Sequence, residues 1–202
     1  MKRYLLIVPV ALAASWMASA QQKTTSIPIL NAGFEADVLT CAPGANCYNS
    51  ALPAWLPAWL PGGAGLCCGS AGTFKPSTVQ YPDGIPGGVN VAFLGDSEKD
   101  GVIFQTVAAT IQANTIYTLT LSVGQRADTP STGYRASLVA GGATLAYDSS
   151  LSPAPGTWLK DVIVYNSGAH PPLLGQLLGI SIRSLGTGQV NIDDVSLTAT
   201  TQ

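Results

Sequence analysis

Few residues in this chain carry chemistry, because only 10% of its 202 residues are charged. The one histidine, His170, sits in SGAHPPLLG just before Pro171 and Pro172, a setting that reads as a surface loop. A serine triad would need it beside an activated Ser, and the chain has no Gly-x-Ser-x-Gly elbow. Asp96, Glu98 and Asp100 crowd into GDSEKDG. Paired carboxyls can flank a glycosidic bond, but these stand beside Ser and Lys, as in a solvated turn. GGVNVAFLGD has neither phosphate-loop spacing nor a following helix, so it carries no nucleotide role. The expectation is a protein that is not an enzyme.

Binding is better supplied. A sugar site needs aromatic faces for the apolar side of the ring and a few polar groups for its hydroxyls. Trp55, Trp59, Tyr81, Arg126 and Tyr134 are the candidates. Trp55 and Trp59 lie in the doubled PAWLPAWL, Pro53 to Leu60, an irregular stretch where large aromatics are less easily explained as core. The plainer alternative is a Trp packed under a loop. Arg126, in VGQRADTPSTGY, is as readily an ordinary arginine at a strand end. LNAGFEAD, Leu30 to Asp37, poses a separate question, since a carboxylate beside Phe34 in so uncharged a chain is either solvated or bound.

Short strands must position these residues. In IYTLTLSVG, Tyr117, Leu119, Leu121 and Val123 share one face and Thr118, Thr120 and Ser122 the other. Further strands are expected at 91–94, 102–107, 134–140, 144–147, 158–165, 177–183 and 189–198, separated by Gly- and Pro-rich turns. About eight such strands without a βαβ rhythm mean an all-β fold, a jelly-roll β-sandwich. Residues 40–86 are rich in Pro, Gly and Cys and read as a long loop insert.

At the N-terminus Met1 to Arg3, an apolar run and Ala18-Ser19-Ala20 read as a secretory signal peptide over residues 1–20, with a membrane anchor as the alternative. Residues 21–202 then form one secreted or periplasmic domain. Without Lys2 and Arg3, seven basic residues face eleven acidic ones, a formal charge of −4. That balance excludes nucleic acid and an anionic membrane surface as partners. Cys41, Cys47, Cys67 and Cys68 fall in one third of the chain. In an exported protein they read as disulfides, with Cys67 and Cys68 crossing to Cys41 and Cys47; a zinc site is the alternative.

IPILNAGFEAD, PAWL, GGVNVAFLGD, VIFQTVAATIQANTIYTLTLSVGQR and QVNIDDVSLTA together resemble the galactose-binding-like β-sandwiches. That group includes bacterial carbohydrate-binding modules and exported proteins that often carry a C-terminal sorting tail, and no such tail precedes Gln202. The resemblance implies a structural calcium held by Asn31, Glu35, Asp193 and Asp194, chemistry that suits an ion taking six to eight oxygen ligands. Alternation places Asp193 on the face of Val195 and Leu197. The expected function is a non-catalytic binder of extracellular or cell-surface carbohydrate. The alternative is an adhesive matrix protein that meets extracellular protein partners through the Pro-Trp-Leu loop.

Overall fold

The computed structural model describes residues 22–41, 47–49, 58–61, 71–95, 100–129, 131, 133–186 and 188–202. The expected signal peptide, Trp55, Cys67, Cys68 and residues Asp96 to Lys99 therefore lie outside the described residues. Those described form an antiparallel β-sandwich without helices. No helix among them is long and apolar enough to cross a membrane.

The first sheet runs β10 (Thr157–Asn166), β7 (Thr115–Gln125), β12 (Val190–Thr201), β5 (Val91–Leu94), β4 (Ala71–Lys75) and β2 (Cys47–Asn49), with β1 (Thr24–Ile27) also pairing β12. The second runs β3 (Leu60–Pro61), β6 (Val102–Thr110), β11 (Leu177–Ser184), β8 (Tyr134–Ala140) and β9 (Ala143–Asp148). The jelly-roll expectation holds, and the expected strands from 91 onward all form. Their cause is visible in β7, where Tyr117, Leu119, Leu121 and Val123 are buried between the sheets against Ile180, Ile182 and Ile192. The 40–86 region is less irregular than its composition implied. It contributes β4, whose Phe74 is buried with Val91 and Phe93 in a second cluster.

One irregularity re-aims the chemistry. Between Asp193 and Ser196 the β12 register against β7 slips by one residue, and Asp194 takes φ 49°. This is a β-bulge. Val190 and Ile192 before it, and Val195 and Leu197 after it, all point into the core. Asp193 therefore shares the outer face with Asn191 and pairs across to Ser122, not with Val195 as simple alternation predicted. The bulge docks on the preceding loop through Val195 N–H donating to the Ala32 carbonyl at 3.0 Å.

Candidate active site: an aromatic groove on the outer face of the first sheet

Trp158, at the start of β10, projects from the outer face of the first sheet onto its neighbour strand. It lies over Gly124 so closely that a Cβ there would come within 2.6 Å of the indole carbons. A glycine inside the strongest strand thus lets an aromatic ring lie flat on the backbone. Tyr81 stacks on the same indole with centroids 4.6 Å apart. Tyr81 arrives on the 76–90 segment, which crosses this face after a tight turn in which Gln80 and Tyr81 N–H both donate to the Ser77 carbonyl. Its hydroxyl donates to Asn191 Oδ1 at 2.8 Å, and Asn191 Nδ2 donates to the Ala92 carbonyl.

Against Trp158 lies a groove of about 420 Å³ walled by Asp83, Ile85, Pro86, Ser122, Leu159 and Lys160. A second hollow of about 370 Å³ on the other side of the 84–85 turn is lined by Lys75, Ser77, Tyr81 and Val89. Both are within the size range of small-molecule sites.

The rim is tied down by carboxylates, which answers the question posed by LNAGFEAD. Glu35 Oε1 accepts from Val89 N–H at 2.9 Å and Asn90 N–H at 2.8 Å. Asp193 Oδ2 accepts from Gly87 N–H at 3.1 Å, and its Oδ1 from Asp194 N–H at 2.8 Å. Gly88 is needed here, because it holds φ 58° and a Cβ on it would collide with the Glu35 carboxylate. Asp193 has no exposed surface. Burial pushes its carboxyl up to about 7, the charges of Asp194 and Glu35 add to this, and the two N–H bonds oppose it. Asn31 is used locally, its Oδ1 accepting from Ala36 N–H at 3.0 Å. Among the described residues no three His, Cys, Asp or Glu side chains are grouped to hold a metal ion.

Among the described residues, those expected to bind sugar do not gather into a platform. Trp59 is buried in the main core, its Nε1 donating to the Asn31 carbonyl and its ring 5.6 Å from Phe34. Arg126 is buried over the Phe74 ring, donating to Asp128 at 2.7 and 2.8 Å and to Gln189 at 2.9 Å. That guanidinium holds Asp128 down at about 2. Gln80 Nε2 also donates to Asp128, so this network braces the start of the 76–90 segment. Of the described candidates only Tyr81 borders the aromatic groove, through its stack on Trp158. Cys41 is disulfide-bonded, whereas the side chain of Cys47, like Cys67 and Cys68, is outside the described residues.

Tyr134 belongs to a different place, the end of the sandwich. Its hydroxyl donates to Asp161 Oδ2 at 2.6 Å, with Asp148 Oδ2 at 3.4 Å. Burial raises the Asp161 carboxyl, the Tyr134 bond opposes this, and the Asp148 charge adds to it. The adjoining cavity is about 220 Å³ and lined by Ser131, Ser149, Ser150 and Ser152 among others. It is smaller and more polar than the groove.

The profile of the HpiC1-like family, described as HpiC1 cyclase, matches residues 25–198. The chain belongs to that family. A Stig cyclase, Fisc, from Fischerella sp. TAU in complex with (3Z)-3-(1-methyl-2-pyrrolidinylidene)-3H-indole is 28% identical, with TM-score 0.72 over 88% of this chain and 98% of that one. A cyclase from Fischerella sp. TAU in complex with 4-(1H-indol-3-yl)butan-2-one is 27% identical, with TM-score 0.67 over 87% and 97%. The carbohydrate-binding module TmCBM61, solved with β-1,4-galactotriose, is 14% identical with TM-score 0.51 over 86% and 98%, a likeness of fold alone. No curated protein matches the chain. Membership in a cyclase family overturns the expectation of a non-catalytic carbohydrate binder and, with it, the matrix-protein alternative. The galactose-binding-like resemblance was a resemblance of scaffold, and a scaffold does not fix function.

Trp158, Gly124, Asn191, Asp83 and Lys160 were not singled out from sequence. The available signal was Gly124, an interior glycine in an otherwise regular strand.

Proposed function

We propose that this protein is a cyclase that closes a ring in a small molecule bearing a flat aromatic heterocycle of indole size, held in the groove against Trp158. The observation that carries this reading is the groove itself: about 420 Å³, with an indole wall backed by Tyr81 and with Asp83 and Lys160 at its sides. Offset stacking on such a wall contributes about 0.5–1.5 kcal/mol beyond area burial. A carboxylate can accept a ring N–H, and an ammonium favours an aromatic face.

Ring closure that isomerises its substrate moves a proton from one atom to another and needs a group titrating near the working pH. Asp193 is that group on this face. It lies behind the groove wall, opposite Ser122, which lines the groove, and it anchors the rim through Gly87. In our reading Asp193 exchanges the proton through the Ser122 hydroxyl.

A structural calcium at Glu35 and Asp193 is the competing proposal for the same corner. Asn90 Oδ1 supports it, being a buried oxygen without a hydrogen-bond partner on a residue whose backbone N–H donates to Glu35. An ion there would hold Asp193 ionised, so the two proposals exclude one another. The decisive experiment titrates 4-(1H-indol-3-yl)butan-2-one into the wild type and a Trp158→Phe/Ser122→Ala variant by isothermal titration calorimetry, with chelator and with calcium. Unchanged affinity in the variant would remove the groove from consideration. A chelator that abolishes folding would favour the ion over the proton.

A further inference from the structure

The outer face of the second sheet carries a cluster that the cyclase reading does not use. Ile180 and Ile182 of β11, and Tyr134, Ala136 and Leu138 of β8, point into the core. Alternation therefore turns Ser181 and Arg183, and Arg135 and Ser137, outward. The register sets Arg183 directly opposite Arg135 and Ser181 directly opposite Ser137. Tyr147 of β9 stands opposite Ser137, and its ring lies against the Arg135 guanidinium, 4.1 Å from centroid to Cζ. On the far side Phe104 of β6 stands opposite Ser181.

Two like charges directly opposite on neighbouring strands destabilise a sheet. This chain has only nine basic residues, so the pairing is not a by-product of a basic surface. Asp100 reaches Arg183 at 3.5 Å, with 46% and 43% of the two side chains exposed, a weak pair. Arg135 has no carboxylate partner among the described residues. Stacking on Tyr147 fixes the plane of its guanidinium and leaves the in-plane N–H donors for an acceptor.

We propose that Arg135 and Arg183, with the Ser181 hydroxyl between the Tyr147 and Phe104 rings, form a binding site for an oxyanion group, a carboxylate or phosphate. Each guanidinium presents a fork that matches two oxygens of such a group, and the anion cancels the repulsion between them. The flanking rings give apolar contact to whatever carries the anion. The site is on the opposite sheet from the groove and stands or falls independently of the cyclase reading.

The test is isothermal titration and thermal melting of the full chain with inorganic phosphate, phenyl phosphate, benzoate and, as an uncharged control, benzyl alcohol. The anions should bind and raise the Tm, while benzyl alcohol should not. Arg135→Gln and Arg183→Gln should each weaken anion binding about tenfold, the equivalent of one charge-assisted hydrogen bond. Without anion each variant should melt at or above the wild-type temperature, because the repulsion is gone. Tighter binding of phenyl phosphate than of inorganic phosphate assigns the site to an esterified group, and equal binding assigns it to the free ion. Anion affinity that survives in the double variant, or no response to any anion, overturns the proposal.

Discussion

Two regions bury a carboxylic acid almost completely, and they use it differently. At the groove rim Asp193 is held by backbone N–H groups and faces other carboxylates. At the sandwich end Asp161 is held by the Tyr134 phenol, which joins β8 to β10. Burial raises both acids. The first fastens a loop that walls a ligand-sized groove, so its protonation bears on what the groove holds. The second cross-links regular strands beside a smaller and more polar cavity, so its protonation bears on the scaffold. A raised carboxyl points to function only when its neighbours are also placed to meet a substrate.

The sharpest way to break this distinction is to neutralise each acid in place. Asp193→Asn should lower turnover about a hundredfold or more, the usual contribution of positioned proton transfer, while the fold is kept. Asp161→Asn should leave turnover within a few fold. A cyclisation assay by chromatography and mass spectrometry reads both, and equal losses in the two variants would erase the difference drawn between the regions.

Stability against pH reads the Asp193 region next. The Asp193 carboxyl rises from 3.8 to about 7, so between those values the folded chain keeps a proton that the unfolded chain has released. Stability from this group is complete below about 4 and is lost as pH climbs through 7, with a ceiling of about 4 kcal/mol. Chemical denaturation from pH 4 to 8 with chelator present should show this decline, and Asp193→Asn should flatten it. A slope of the opposite sign when calcium is added would favour the ion. Smaller still is Tyr134→Phe, which leaves a buried Asp161 oxygen unpaired. Its expected cost is about 1–3 kcal/mol of unfolding free energy without loss of activity.

The strand pattern was legible because burial of one face imposes a period of two, as Tyr117, Leu119, Leu121 and Val123 show. The orientation of Asp193 was not, because one extra residue at Asp194 reverses the face of everything before it and no composition signal marks it. Trp59 stayed open between a ligand face and a packed ring because its surroundings in sequence, Pro and Leu, do not reveal that Asn31 and Phe34 close over it. The proposed site was hidden for a chemical reason. The groove gathers an aromatic wall from β10, a glycine from β7, a turn at 83–86 and an acid from β12, none of which forms a local motif.

Gly124 offers the smallest and most specific perturbation. Its Cβ position is occupied by the Trp158 ring, whose carbons are 2.6 Å away, so Gly124→Ala must lift the indole from the sheet. The ring then loses its seat on the backbone and part of its stack on Tyr81, 4.6 Å away in the native arrangement. The strand itself gains a little, since alanine has less backbone freedom to lose than glycine. The two effects oppose each other in stability and leave a net cost of about 1 kcal/mol, within the range of mild overpacking. Only the first reaches binding, because the groove wall follows the position of the ring. Affinity for 4-(1H-indol-3-yl)butan-2-one should therefore fall about tenfold while the melting temperature moves by only a few degrees. Binding that tracks stability instead of the ring would place the ligand outside the groove.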